Sequence, residues 1–362
     1  MVPRRIVITR RTTLDYRDGI NVFIFALADA LIEAGHAVTV VATHIGDPER
    51  ISQQFAVRTM PTLAEVDRGR PRFSYEGLTT GWLTRGARMI ARLQPDLVIN
   101  NGALPFSVDG HSCNLAHDLG WAGPRRFDRV RRLYKRYAYG RCDDIVALCG
   151  EVRDRLADQL GTPPDRILTI PPCVDLAGYP AALVEDREDA ILHTGTAGYK
   201  NPNETVRAFA ALDRPSTRLY IEGEITPDLR EQVAVLPVST RARIELVGEL
   251  PAVRLRALLG SVRVASFPTR YAVPTASATV VEAIAAGTPI AGSTCLSGDV
   301  LCPERNGLVC RDDVELAAAF GRLLSNDDSW SAMSREALAM SARFACGEVA
   351  RSYLSLLEPR SA

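Results

Sequence analysis

Short apolar runs alternate with amphipathic stretches along most of the chain. The runs at 6–9 and 37–41 have the length and β-branched content of buried strands. Between them, Phe23, Leu27 and Leu31 recur at the spacing of one helix face. The same alternation continues to residue 170, and it predicts parallel strands joined by helical crossovers.

A second cycle of the same pattern begins near residue 191. Proline, glycine and charge at 171–180 and 185–189 indicate a linker between the two cycles. The fold class is therefore α/β, with two Rossmann-like domains facing across a cleft and C-terminal helices closing the structure. We expect domains at 1–175 and 176–345, and a helix at 346–362 that packs back toward the first domain.

Composition narrows the class of protein. The chain has 362 residues, which exceeds what one core usually serves, and its formal net charge of zero argues against a nucleic-acid binder that relies on a basic field. No apolar run approaches the roughly 18 residues of a membrane span, and the N-terminus looks like a first strand and not a signal peptide. The eight scattered cysteines, without a CxxC pair, predict a reducing cytoplasm and no metal site. The abundance of arginine and alanine is typical of bacterial proteins from GC-rich genomes.

The candidate chemistry of the second half lies in two turns. Only two of the 43 Lys and Arg residues are lysines, and one of them, Lys200, closes a glycine-bearing turn after an apolar strand. A compact ammonium there suits phosphate oxygens, although an exposed loop lysine is the alternative. Farther along, Ser277 and Thr279 precede an apolar helix whose N-terminal N–H groups favour anions. Glu282 lies about one turn inside that helix, where it either reaches a ribose diol or is an ordinary solvated glutamate.

The first half offers two weaker candidates. Gly19 stands where a turn enters a helix and either lets a phosphate or sugar approach the backbone or belongs to a generic loop. His117, before Asp118, follows an apolar segment. It either hydrogen-bonds a substrate and takes part in proton transfer, or is a structural histidine.

At these residues the chain resembles the retaining GT-B glycosyltransferases, specifically glycosyltransferase family 4. The segment 280–289, Val-Val-Glu-Ala-Ile-Ala-Ala-Gly-Thr-Pro, is similar to the family's second-glutamate segment, and the likeness spans nearly the whole sequence. The resemblance implies transfer of a hexosyl or N-acetylhexosaminyl group, with retention, from a nucleotide diphosphate sugar, UDP-sugar favoured, to a small-molecule or carrier-bound acceptor. It implies a first domain that binds the acceptor, a second that binds the donor, and no cofactor or metal.

The resemblance also implies roles for individual residues. His117, Lys200 and Glu282 are the expected catalytic residues: His117 lies near the donor sugar, Lys200 holds the diphosphate and Glu282 the ribose. The turn at 248–250 lies against the base. The residues expected to bind the donor are Gly19, Gly195, Thr196, Asn201, Glu249, Leu250, Ser277, Ala278, Thr279 and Val280.

Two positions depart from the family's pattern. Pro274 stands where members usually carry a first glutamate, and Thr196 stands where an arginine commonly follows the glycine. Lys200 then carries more of the diphosphate charge, unless Arg270 or a first-domain arginine substitutes.

Other functions remain open on the same architecture. A nucleotide-sugar epimerase would need acidic catalytic residues, for which Glu249 is the candidate, and a non-catalytic nucleotide-sugar binding protein fits the lost glutamate. The segment 125–141 has eight basic residues and one acid, with apolar positions 127, 130, 134 and 137 at helical spacing. It either contacts an anionic membrane or an acidic carrier protein, or is an amphipathic helix with a solvated basic face.

Overall fold

The computed structural model describes residues 2–67, 74–75, 78–79, 81–117, 128–179, 183–270 and 274–358. The chain divides into two compact units. The first unit holds residues 1–173 together with 345–362, and the second holds residues 174–344. The acceptor and donor roles expected for the two domains stay predictions.

The first unit is a doubly wound α/β structure. Its strands are β1 (Arg5–Thr13), β2 (Ala37–His44), β3 (Thr62–Glu65), β4 (Ser74–Tyr75), β5 (Leu78–Thr79), β6 (Leu97–Asn101), β7 (His111–Ala116), β8 (Asp144–Ala147) and β9 (Ile167–Thr169). Its helices up to that point are α1 (Gly19–Glu33), α2 (Pro48–Phe55), α3 (Ala87–Leu93, preceded by a π-helical turn at Trp82–Gly86), α4 (Asp128–Tyr139) and α5 (Gly150–Leu160).

Seven of these strands form one parallel sheet in the order β3-β2-β1-β6-β7-β8-β9. Ile6 pairs with Val38 on one side and with Leu97 on the other. Most residues of β1 and β2 and all residues of β6 are buried, because helices cover both faces of a parallel sheet. Apolar side chains such as Trp82 pack beneath them.

The second unit repeats this architecture. Its strands are β10 (Glu188–Thr194), β11 (Arg218–Glu222), β12 (Ile244–Gly248), β13 (Val262–Phe267), β14 (Ile290–Ser293) and β15 (Gly307–Cys310). Its helices are α6 (Pro202–Ala210), α7 (Pro227–Ala234), α8 (Val238–Arg241), α9 (Ala252–Ser261), α10 (Ala278–Ala285), α11 (Asp313–Ser325) and α12 (Asp327–Ser341). The last helix, α13 (Cys346–Leu354), belongs to the first unit and packs against α1.

All six strands of the second unit are parallel, in the order β12-β11-β10-β13-β14-β15. Its core joins β10, β11 and β13 to α6 and α11 through side chains that include Phe209, Leu219 and Phe320. The predicted fold class is confirmed, with two parallel-sheet Rossmann-like domains of seven and six strands.

Two details of the sequence interpretation were wrong. The charged stretch 185–189 was assigned to a linker, yet Arg187 is buried and Glu188 opens β10. The strands β3 and β15 were not predicted; each has only four residues, and no residue of β3 is buried. Among the described residues, no helix is both long and apolar enough to cross a bilayer.

Candidate active site

The candidate residues of the second unit lie where its strand order reverses. Strand β10 has β11 on one side and β13 on the other, so the connections that follow β10 and β13 leave toward opposite sides of the sheet. Ligands of open α/β sheets bind at such a point, beyond the carboxyl ends of the strands. The turn 195–201 follows β10, and the loop after β13 leads into α10.

The turn after β10 depends on a glycine. Gly195 has a φ of +81°, a conformation that side chains disfavour, and its N–H donates to the Glu222 carbonyl at 2.8 Å. A 3₁₀ turn at Gly198–Lys200 follows, and Asn201 takes a left-handed φ of 58° before α6 begins. This backbone path places the Lys200 side chain alongside Gly195.

The Lys200 ammonium lies at the N-terminus of α10. Nζ donates to Thr279 Oγ1 at 3.0 Å and approaches Ser277 Oγ at 3.4 Å, and the side chain is buried. Ser277 is the N-cap residue, but its hydroxyl makes no capping hydrogen bond and instead meets Thr279 Oγ1 at 3.0 Å. The first N–H groups of a helix lack intrahelical partners. A fixed cation and an uncapped helix N-terminus therefore meet at one place, together with Ala278 and Val280.

A buried histidine, His193, which was not predicted as a site residue, forms a hydrogen bond to this turn. His193 Nε2 lies 2.9 Å from the Gly195 carbonyl, and Nδ1 lies 2.9 Å from Thr205 Oγ1, which in turn meets Ser266 Oγ at 2.8 Å. Burial lowers the pKa of His193 to about 3, so the imidazole is neutral. Nε2–H therefore donates to the Gly195 carbonyl, while Nδ1 accepts from the Thr205 hydroxyl. The pattern of an apolar strand interrupted by histidine was the available signal.

Glu282 lies inside α10, and its side chain is buried. The hydroxyl of Tyr179 donates to Glu282 Oε1 at 3.2 Å. Tyr179 came from the segment interpreted as a linker, so sequence reasoning did not connect it with the site. The contact fixes one carboxylate oxygen of Glu282, and its role toward a ribose stays a prediction.

Thr196 stands where the family commonly has an arginine, and Arg270 was considered as a substitute for that charge. The charge of Arg270 is compensated by a carboxylate. Its guanidinium pairs with Glu204, with Nη2 and Oε2 2.5 Å apart, and its backbone N–H donates to the Tyr199 carbonyl at 2.7 Å. Burial raises the pKa of Glu204, and the nearby Arg270 opposes that shift. Thr196 donates its hydroxyl to the Glu224 carbonyl at 2.6 Å, so it braces the turn.

The turn predicted to lie against the base follows β12. Glu249 is exposed, and the Leu250 N–H points toward Glu222 Oε1 at 3.4 Å. Gly248 has a φ of +73°, and its carbonyl accepts from the Gly223 N–H at 3.0 Å. The ends of β11 and β12 are thereby joined beside the Gly195 turn.

In the first unit, His117 directly follows β7 at the carboxyl edge of the sheet, while Asp118 lies outside the described residues. Asn101 Nδ2 donates to the Thr9 carbonyl at 3.0 Å, so Oδ1 faces His117 and accepts a hydrogen bond from Nε2–H at 2.7 Å. Nδ1 of His117 then carries a lone pair. Burial and the nearby Arg10 lower the pKa of His117 to about 3, which keeps the ring neutral.

The strand order of the first unit reverses at β1, between β2 and β6, and a cavity of about 270 Å³ lies there. Arg10, Arg11, His117 and Lys135 are among its lining residues. Gly19, the first residue of α1, is exposed and does not line it. The N-cap residue of α1, Asp18, already caps that helix by accepting from the Asn21 N–H at 2.7 Å.

Two sequence-family models match the chain. The model described as Glycosyltransferase Family 4 matches residues 17–177, and the model described as Glycosyl transferases group 1 matches residues 188–326. No curated protein matches the chain.

Solved structures of glycosyltransferases share the fold at low sequence identity. Sucrose-phosphate synthase from Thermosynechococcus elongatus is 17% identical with a TM-score of 0.75, over 98% of each chain. Anabaena HepE in complex with UDP is 14% identical with a TM-score of 0.75, over 97% of this chain and 98% of that one. A mutant of S. aureus TarM, in a complex that contains UDP, is 10% identical with a TM-score of 0.78, over 98% of this chain and 100% of that one.

Glycosyltransferase models thus match both halves of the chain, and these matches, together with the fold, support its assignment as a GT-B glycosyltransferase.

Proposed function

We propose that this protein transfers a hexosyl or N-acetylhexosaminyl group from a UDP-sugar to a small-molecule or carrier-bound acceptor, with retention of anomeric configuration. One observation carries the donor assignment, namely the buried Lys200 ammonium at the uncapped N-terminus of α10. That arrangement offers a diphosphate a fixed positive charge beside the positive end of a helix dipole. UDP is favoured because the similar HepE and TarM structures contain it.

Lys200 and the α10 N-terminus act on the leaving group. The bond between the anomeric carbon and the diphosphate oxygen breaks, the acceptor hydroxyl forms its bond on the same face of the sugar, and its proton passes to the departing diphosphate. Negative charge grows on that diphosphate as the bond breaks. Groups that are already oriented stabilise such charge without reorganisation. The hydroxyls of Ser277 and Thr279 hold the ammonium in that position.

His117 orients a hydroxyl in this proposal. Its ring is neutral because its pKa is about 3, so at neutral pH it acts by hydrogen bonding and does not carry a proton. Asn101 sets the tautomer of the ring. Glu282, fixed by Tyr179, binds the ribose.

Replacing Lys200 tests the donor site. We expect Lys200→Ala to weaken UDP binding by about ten- to hundredfold, the effect of losing one hydrogen bond to a charged group. Arg230→Ala, an exposed cation of α7 in the same unit, is the matched control and should bind UDP as the wild type does. Isothermal titration calorimetry measures both. Equal UDP affinity in Lys200→Ala and the wild type would show that the donor site is elsewhere.

Slow donor hydrolysis distinguishes the three candidate activities without an acceptor. A retaining transferase releases the sugar from its UDP-sugar with the donor's anomeric configuration, which proton NMR detects before mutarotation. An epimerase returns an isomeric UDP-sugar, and a binding protein leaves the donor intact. The geometry gives the epimerase little support, since its candidate acid Glu249 is exposed at the end of β12.

We further propose that the basic segment 125–141 contacts an anionic membrane surface. Leu133 and Tyr137 stand one helical turn apart on α4 and are 66% and 52% exposed. The guanidinium of Arg141 lies over the Tyr137 ring at 4.6 Å, and Arg136 is exposed on the same segment. Apolar and cationic groups exposed together are what an amphipathic surface helix presents to anionic lipid.

A further inference from the structure

The cavity of the first unit is cationic. Arg10, Arg11 and Lys135 are three of the side chains that line it, and none of the described residues that line it is acidic. Arg10 is buried and forms an ion pair with Asp18, which lies outside the lining, so that charge is balanced within the protein. Arg11 and Lys135 are the other two cationic residues of the described lining.

The Arg11 guanidinium lies against the backbone of Gly102 and Ala103. Nη1 donates to the Ala103 carbonyl at 3.2 Å, an oxygen that also accepts from the Tyr134 hydroxyl at 3.3 Å. Gly102, at a φ of +99°, leaves the room: a Cβ there would lie 2.6 Å from Arg11 Nη2. A side chain at position 102 would have to displace the guanidinium, so the glycine leaves space for it there.

Lys135 comes from α4, on the face that also carries Tyr134 into the cavity. It is one of only two lysines in the chain, and the other is Lys200 of the donor site. The polar groups Asn101 and His117 complete this lining, and His117 is neutral, so they add hydrogen-bonding capacity without charge. The volume of about 270 Å³ is below that of most drug-binding pockets and suits a small ligand or one end of a larger one.

We propose that this cavity binds the anionic group, a phosphate or a carboxylate, of the acceptor, with Arg11 and Lys135 as its cationic partners. The inference rests on the proposed function, because it assigns the acceptor of the same transfer reaction. An arginine fork and an ammonium beside each other match phosphate and carboxylate oxygens. The donor diphosphate is the other source of the same chemistry, and the experiment separates the two.

The two lysines allow a direct test on the full chain. Pyridoxal 5′-phosphate condenses with a lysine amine to an imine with loss of water, and borohydride then fixes the adduct. Peptide mass spectrometry reads Lys135 and Lys200 separately. We expect Lys135 to react about tenfold faster with pyridoxal 5′-phosphate than with pyridoxal, since an anion-binding arginine holds the phosphate. Arg11→Gln should abolish this preference, and Arg92→Gln, an exposed arginine of the same unit, should retain it.

Protection identifies the source of the anion. Inorganic phosphate, glucose 6-phosphate or glucuronate should slow the labelling of Lys135, glucose should not, and UDP should slow only that of Lys200. Equal rates with both reagents, or a preference unchanged in Arg11→Gln, would overturn the proposal. Protection of Lys135 by UDP would also overturn it, because the cations would then serve the donor. If UDP protects neither lysine while the anions protect Lys135, the proposed donor site fails and the anion site stands.

Discussion

One buried imidazole holds the turn at 195–201, where we propose that the donor binds. The Gly195 carbonyl has a fixed orientation because His193 Nε2–H donates to it, and Thr205 and Ser266 hold the ring from the other side. The hydroxyls of Ser266 and Thr205 and the imidazole of His193 form one chain of hydrogen bonds that ends at the Gly195 carbonyl. Because this carbonyl can only accept, the direction of each bond to the ring is determined. His193 is therefore a positioning residue for Lys200, which lies at the end of the same turn.

Replacing His193 separates this role from general stability. Phenylalanine keeps most of the ring volume and removes both nitrogens, which leaves the Gly195 carbonyl without its donor. We expect His193→Phe to weaken UDP binding about tenfold, as the loss of one buried hydrogen bond would. His193→Gln retains an N–H donor and should restore part of the affinity. Calorimetry with UDP at a temperature where circular dichroism shows all three proteins folded makes the measurement.

Unchanged UDP affinity in His193→Phe would mean that the turn keeps its shape without the histidine. A loss of affinity that glutamine does not restore would instead indicate that ring packing, and not donation to the carbonyl, matters.

At the scale of elements, the apolar periodicity was sufficient to predict the buried parallel strands. All five residues of β6 are buried because both faces of the sheet are covered, and its apolar run at 97–99 is visible in the sequence alone. The strand β3 lacks this signal, since none of its four residues is buried, and it was not found; β15 was not found either. The partners of Glu282 and Lys200 could not be predicted either. Tyr179 lies 103 residues from Glu282, and Thr279 lies 79 residues from Lys200, so only the folded chain brings them together.

Helix α4 shows a further limit of periodicity. The sequence interpretation placed positions 127, 130, 134 and 137 on one apolar stripe. Tyr134 does line the cavity, but Tyr137 is exposed and Ala138 is buried in its place. Side chains 127 and 130 are outside what the structure describes. A tyrosine has both an apolar ring and a polar hydroxyl, so it occurs at buried and at half-exposed positions of a helix. The sequence pattern therefore assigned Tyr137 to the wrong face of α4.

The exposed pair on α4 predicts lipid binding. We expect the wild type to co-sediment with vesicles of phosphatidylglycerol and phosphatidylcholine at low salt, and a Leu133→Ser, Tyr137→Ser double variant to bind several-fold less. Two large apolar groups contribute roughly 1.5–3 kcal/mol each when fully buried, and partial insertion gives less. Leu83→Ser, another exposed leucine of the same unit, is the control. Absence of wild-type binding, or equal binding by the double variant, would contradict a membrane role; capture by an acidic carrier protein alone would favour the other partner.

Arg187 joins two helices of the second unit. Its guanidinium donates to the Leu259 carbonyl near the end of α9 at 3.1 Å and to the Ala286 carbonyl after α10 at 2.7 Å, and it also bonds Thr288 Oγ1 at 2.8 Å. Burial lowers its pKa to about 10, yet it stays charged at neutral pH. A cation at two helix C-termini meets the negative ends of both helix dipoles.

Removing this guanidinium should destabilise the second unit. Arg187→Met leaves several buried carbonyl and hydroxyl groups without a donor, and we expect the free energy of unfolding of that unit to fall by roughly 3 kcal/mol. The control, Arg241→Met, removes an arginine whose guanidinium donates an exposed hydrogen bond to the Ala234 carbonyl. It should change the free energy of unfolding by less than about 0.5 kcal/mol. Urea denaturation followed by hydrogen exchange of unit-specific peptides gives both values. A loss below 1 kcal/mol in Arg187→Met would show that water replaces the guanidinium.

At the scale of the whole molecule, each unit contains a histidine that is neutral in the folded state. Burial lowers the pKa to about 3 in both His117 of the first unit and His193 of the second. In the unfolded chain both return to about 6.5. Below that value the unfolded state binds protons that the folded state does not, so protonation favours unfolding of both units.

This difference predicts acid lability in a defined window. The stability present above about pH 6.5 declines as the pH falls toward 3, by about 1.4 kcal/mol per pH unit for each histidine. Between pH 7.5 and 5 each histidine should therefore lower the stability of its unit by about 2 kcal/mol. Hydrogen exchange of peptides from β6 and β10 follows the two units separately. His193→Gln should flatten the pH dependence of the second unit and leave that of the first, which serves as the internal control. If the second unit of His193→Gln loses as much stability as the wild type, the imidazole is protonated in the folded state and its donation to Gly195 must be reassigned.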